Sequence, residues 1–102
     1  MELRHLRYLI AVAEELNFGR AATRLNVSQP PLSRQIRQLE EELGVKLLHR
    51  TKHEVRLTDA GARILSEAHQ VLSDVEHLTR VAARASGGGI GQLSIGVPGG
   101  LN

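Results

Sequence analysis

Apolar residues fall at helical spacing from the start of the chain. Leu3, Leu6, Leu9, Ile10, Ala13 and Leu16 recur every three or four positions and predict a first helix over residues 3–16. Arg7, Glu14 and Glu15 are left for solvent, so this helix supplies the back wall of a core. Asn17 is a candidate N-cap for a short second helix over about residues 18–25. Ala21 and Ala22 are small enough there for another helix to cross closely, and Asn26 tolerates the left-handed backbone of a tight turn. Leu32, Ile36, Leu39 and Leu43 then form one narrow stripe, which predicts a third helix from an N-cap at Ser28 to Leu43. Pro30 and Pro31 fall in its first turn, where a missing N–H costs no helical hydrogen bond, and Gly44 ends it.

Beyond Gly44 the period changes. Val55, Arg56 and Leu57 alternate as a strand does, and with Val45–Arg50 they predict a two-stranded hairpin turning around Thr51, Lys52, His53 and Glu54. Thr58 and Asp59 open a long helix that runs to about Ser86, some 40 Å at ~1.5 Å per residue. Gly61, Ile64, Ala68, Val71, Val75, Leu78, Ala82 and Ala85 repeat along it at alternating threes and fours, with Leu65 and Leu72 widening the seam. A 57-residue domain is too small to cover that stripe, so a second copy of the helix is expected to do so. Residues 86–91 read as a flexible linker without nucleotide-loop spacing. Residues 92–98 alternate like the first strand of a further domain.

Composition narrows the class. With 102 residues, one Phe, one Tyr and no Trp, the core is aliphatic and small. No cysteine is present, which excludes disulfides and thiolate metal sites and fits a reducing cytoplasm. No apolar run approaches the ~18 residues of a membrane span, and the N-terminus has no signal-peptide core. Five histidines are scattered without a ligand set, and no Ser/His/Asp group carries a supporting motif, so metal binding and catalysis are not expected. Glu40, Glu41 and Glu42 read as a solvated helix end.

The net charge is only +2, but its placement is uneven. Residues 1–37 carry a net +3, residues 38–43 a net −3 and residues 44–58 a net +3. Between Arg20 and Arg37 stand four arginines and no acid. On the third helix Arg34 lies almost opposite the leucine stripe, flanked by Pro30 and Arg37, with Ser33 and Gln29 towards the edge. Gln, Ser and Arg on the free side of a core-anchored helix suit base-edge and phosphate contact in a major groove. The hairpin is then a wing whose basic tip meets phosphates or a minor groove. Two other readings stay open on the residues alone: a protein–protein module built on the long helix, and a regulatory piece of an enzyme.

Residues 1–58 also resemble a known family. Met-Glu-Leu-Arg-His-Leu-Arg-Tyr, Asn-Phe-Gly-Arg-Ala-Ala, Ser-Gln-Pro-Pro-Leu-Ser-Arg-Gln-Ile, Leu-Glu-Glu-Glu-Leu-Gly, Leu-Leu-His-Arg and Leu-Thr-Asp-Ala-Gly look like the N-terminal part of LysR-type transcriptional regulators. The resemblance implies a mainly α fold: a winged helix-turn-helix over 1–58, three helices plus a two-stranded wing, followed by a long dimerisation linker helix over 59–86. Residues 87–102 would be a hinge and the start of a truncated effector-binding domain, which would take a small-molecule effector; no cofactor is expected in residues 1–102 themselves. It implies a cytoplasmic bacterial regulator that binds double-stranded promoter DNA as a homodimer or tetramer, without a membrane partner. Gln29, Pro30, Ser33 and Arg34 would face the major groove. Arg20, Thr23, Ser28, Pro31 and Arg37 would hold phosphates or fit the groove. Arg50, His53 and Arg56 would belong to the wing, and Ile64, Ala68, Val71, Val75, Leu78 and Ala82 to the dimer seam.

Overall fold

The computed structural model describes residues 1–87. In chain order it contains α1 (Leu3–Glu15), α2 (Phe18–Leu25), α3 (Gln29–Leu43), β1 (Leu48–Arg50), β2 (Val55–Leu57) and α4 (Asp59–Ala85). The strand expected at residues 92–98 and the hinge beyond Gly87 lie outside the described residues. Among the described residues no helix is long and apolar enough to cross a membrane.

Met1–Gln70 folds as one compact unit. Leu9, Val12, Leu32, Ile36, Leu39 and Leu47 are its fully buried large side chains, so α1, α3 and the chain entering β1 meet on aliphatic contacts. Phe18, Ala21 and Ala22 bring α2 onto the same core. The two strands pair antiparallel, with Leu48 opposite Leu57 and Arg50 opposite Val55.

The helix ends follow their local chemistry, with two exceptions. The Arg20 N–H donates to Asn17 Oδ1 at 2.8 Å, and the Gly61 N–H donates to Thr58 Oγ1 at 2.8 Å. Asn26 and Gly44 take left-handed backbone at φ 60° and φ 74°. Ser28, by contrast, makes no side-chain cap. An N-cap oxygen accepts from the second or third helical N–H, and in α3 those positions are Pro30 and Pro31, which have none. α1 stops at Glu15, and Leu16 caps it in left-handed backbone at φ 51°, 48% exposed rather than on the buried stripe.

Two further expectations are corrected. Val45 is exposed and the first arm of the hairpin is shorter than residues 45–50, its paired strand beginning only at Leu48, while the second arm is Val55–Leu57 as expected. Glu40 is not part of a solvated end but 7% exposed. Its Oε2 accepts the Leu47 N–H at 2.8 Å and the Leu48 N–H at 3.2 Å, so it receives the chain as it enters β1. The beginning of the α4 seam is also used within the domain. Gly61 and Ala68 are buried, and Ile64 and Leu65 pack on the core. A methyl group at Gly61 would overlap the Leu47 carbonyl oxygen, so glycine is required by this close approach.

From Val71 the chain belongs to a second unit. Along its part of α4, Val71, Leu78 and Val81 are exposed large apolar residues.

Candidate nucleic-acid interface

α3 is amphipathic in the strict sense. Leu32, Ile36 and Leu39 are fully buried, while Gln29, Pro30, Arg34 and Arg37 are exposed on its other side. Pro31 and Ser33 are half-buried at the margin. Among the described residues neither Arg34 nor Arg37 enters an ion pair. Two exposed arginines thus share the outward side of α3 with Gln29 and Pro30, and Ser33 stands at its margin.

α2 presents its basic residues differently. Arg24 Nη2 lies 2.6 Å from Glu14 Oε1 and Nη1 lies 3.3 Å from Glu15 Oε2. Hydrogen bonding to Glu14 raises the Arg24 guanidinium further above its already high pKa. Arg20 donates from Nη2 to the Glu15 carbonyl at 2.8 Å, with Nε 3.5 Å from the Glu15 carboxylate. The acid-free interval from Arg20 to Arg37 is therefore not an acid-free surface, because the end of α1 supplies the carboxylates. Thr23 is exposed and its hydroxyl donates to the Gly19 carbonyl at 3.1 Å.

The wing splits in the same way. Thr51 shapes the tip: its Oγ1 accepts the His53 N–H at 3.2 Å and the Glu54 N–H at 3.1 Å. Lys52 and His53 are exposed there, and Arg56 lies 3.4 Å from Glu54 with both side chains in solvent. A groove of about 290 Å³ separates this tip from the starts of α2 and α3, lined among others by Asn17, Gly19, Gln29, Lys52 and His53. Arg50 points inward instead. Its Nη1 donates to Ser33 Oγ at 2.8 Å, its guanidinium sits 4.7 Å from the Phe18 ring centroid, and Nη2 lies 3.6 Å from Glu40 Oε1. Burial pulls its pKa below the ordinary guanidinium value, with Glu40 opposing and Arg37 adding to the shift.

The sequence did not assign Glu40 and Phe18 to this cluster. A signal existed for Glu40, which stands four residues after Ile36 and three before Leu43, on the apolar side of the wheel. Among the described residues no group of three or more His, Cys, Asp or Glu side chains is placed to hold a metal ion.

The family model described as the bacterial regulatory helix-turn-helix protein, lysR family, matches residues 3–62, from α1 through the wing into α4. The chain belongs to the lysR family. It is 56% identical over 99 residues to the HTH-type transcriptional regulator AlsR of Bacillus subtilis, covering 97% of this chain and 33% of that protein. It is 55% identical over 96 residues to the HTH-type transcriptional regulator YnfL of Escherichia coli, covering 94% of this chain and 32% of the relative. The chain thus spans about a third of the length of these lysR-family relatives. Among solved structures, the CbnR_DBD–DNA complex matches at a TM-score of 0.82 with 44% identity, covering 84% of this chain and 99% of that one. The BenM_DBD/benA site 1 DNA complex matches at 0.79 with 48% identity, covering 84% and 97%. The winged helix-turn-helix architecture followed by a long helix is the one that those lysR-family domains share with this chain.

Proposed function

We propose that this chain is the non-catalytic DNA-reading part of a cytoplasmic lysR-family transcriptional regulator. It binds double-stranded promoter DNA as a homodimer, with residues 1–58 as the reading domain and α4 as the dimerisation helix. α3 lies in the major groove with Gln29, Pro30, Ser33 and Arg34 towards the bases. Arg37, Thr23, Ser28 and Pro31 fit the flanking backbone, and Lys52, His53 and Arg56 bring the wing to a neighbouring groove. Arg20 contributes weakly, since Glu15 already neutralises it.

The observation that carries this reading is the outward side of α3, where Arg34 and Arg37 make no ion pair among the described residues while the opposite side is locked into the core. Two solved relatives of the same fold are themselves DNA complexes, which supports it. Val71, Leu78 and Val81 are exposed on α4 and, with Val75 and Ala82, suit a second copy of the helix better than water. Ile64 and Ala68 contribute less to that seam, since the chain's own domain engages them.

A gel-shift titration on duplexes selected from a randomised pool tests the reading. Affinity should fall steeply with salt, with a log–log slope near −0.9 for each phosphate neutralised. A flat salt series overturns it. Leu78→Glu should dissociate the dimer in sedimentation equilibrium; an unchanged mass would remove α4 as the interface.

A further inference from the structure

We infer that Arg50 is a positioning residue for DNA recognition, acting through Ser33 rather than touching the duplex itself. The inference rests on the DNA reading above. Counted by type and place, Arg50 is a wing cation and an obvious phosphate contact. Its geometry is otherwise. The side chain is 19% exposed, lies over Phe18 of α2, and is held between Ser33 and Glu40 of α3. One guanidinium therefore ties the last residue of β1 to both helices of the helix-turn-helix.

The consequence for Ser33 is chemical. A guanidinium has donors only, so at 2.8 Å Ser33 Oγ must be the acceptor. The hydroxyl keeps one proton and one lone pair, and the adjacent cation weakens that lone pair as an acceptor. Ser33 is thereby set as a donor at the edge of the outward side of α3. In a major groove it fits guanine N7 and O6, adenine N7 or thymine O4, and it disfavours the cytosine amino group. Glu40 supports the arrangement from behind by charge, its Oε1 lying 3.6 Å from Arg50 Nη2 without a hydrogen bond, while its Oε2 accepts the Leu47 and Leu48 N–H groups. The wing strand and the Ser33 hydroxyl are thus set by the same carboxylate–guanidinium pair.

The test measures the parent chain, Arg50→Lys, Ser33→Ala and the double variant on duplexes selected from a randomised pool by the parent. Lysine keeps the charge but loses the planar fork. Both single variants should weaken the best duplex about tenfold, the effect of one hydrogen bond. Both should relax preference at the same base step, and the double variant should bind no worse than Ser33→Ala. In a charge-removing variant, Arg50→Gln, the salt slope should equal the parent's, and a slope shallower by about 0.9 would make Arg50 a phosphate contact. Uniform weakening of Arg50→Lys across sequences, with the base preference kept, would make Arg50 a phosphate contact and overturn the inference. Unaltered base preference in Arg50→Lys overturns it as well. Should the lysine variant fail to fold by circular dichroism, Ser33→Ala decides, because unchanged preference there removes the hydroxyl from recognition. A parent chain that enriches no sequence overturns the DNA reading, and this inference with it.

Discussion

Arg20 and Arg24 on α2 meet the carboxylates of Glu14 and Glu15, whereas Arg34 and Arg37 on α3 meet none among the described residues. The two helices lie side by side on one core and carry equal numbers of these arginines, yet only one offers unneutralised charge. The difference comes from the tight turn at Leu16, which folds the acidic end of α1 back onto α2. Among the described residues the arginines of α3 make no ion pair, although Arg37 shares a surface groove with Glu40 and Glu41. The helix's own acids sit one or two turns further on, and Glu40 among them is turned into the core. Charge at a surface is thus a property of neighbours in space, and a phosphate backbone would find an open cationic site on α3 and a largely satisfied one on α2.

The comparison can be broken at its acidic side first. Glu40→Gln should cost about 2–3 kcal/mol of stability, since it removes the charge of a buried acceptor and turns an amide towards Arg50. A urea midpoint unchanged from the parent would show that Glu40 is as solvated as its neighbours. Next comes the cationic side. Arg34→Ala should lose about 1–3 kcal/mol of binding and relax base preference in a gel shift, while Arg20→Ala should change affinity by less than threefold. Equal losses at the two positions would erase the distinction between the helices. A smaller change sharpens it: Glu14→Gln with Glu15→Gln frees Arg24 and Arg20, so binding to non-selected duplex at low salt should rise several-fold.

The smallest effect concerns an exposed pair that involves neither helix's arginines. The Met1 ammonium lies 2.9 Å from Glu42, which raises the amine above 8.0 and lowers the carboxyl below 4.5. The carboxyl's share of stability is present above its unfolded value and lost as pH falls through the lowered one. The amine's share is present below its unfolded value and lost as pH rises through the raised one. The thermal midpoint of Glu42→Gln should therefore trail the parent slightly near pH 6 and match it at pH 2 and pH 11. A constant difference across that range would exclude the pair as its source.

Most elements were legible because their causes are local. The leucine stripe of α3, the Asn17 and Thr58 caps, the left-handed Asn26 and the Gly44 stop follow from backbone geometry within a few residues. The Ser28 cap was misread although its contradiction stood in the sequence, since the prolines that start α3 remove the donors a cap needs. The candidate interface was legible in outline at Arg34 and Arg37. It was not legible at Arg50, because the same residue type in the same strand is a free cation or a tether depending on what packs beneath it.

The amino-acid order by itself determined the helices, the wing, the position of the helix with the exposed arginines and an apolar stripe longer than one domain covers. Tertiary structure alone decided which charges are free, that Gly61 must admit the Leu47 carbonyl, and that the start of the α4 stripe serves its own domain. The physical reason is range. Helical and strand periods are set by neighbours along the backbone, whereas an ion pair such as Glu15 with Arg24, or a hydrogen bond such as Arg50 with Ser33, spans 9 or 17 residues and exists only once the elements have packed.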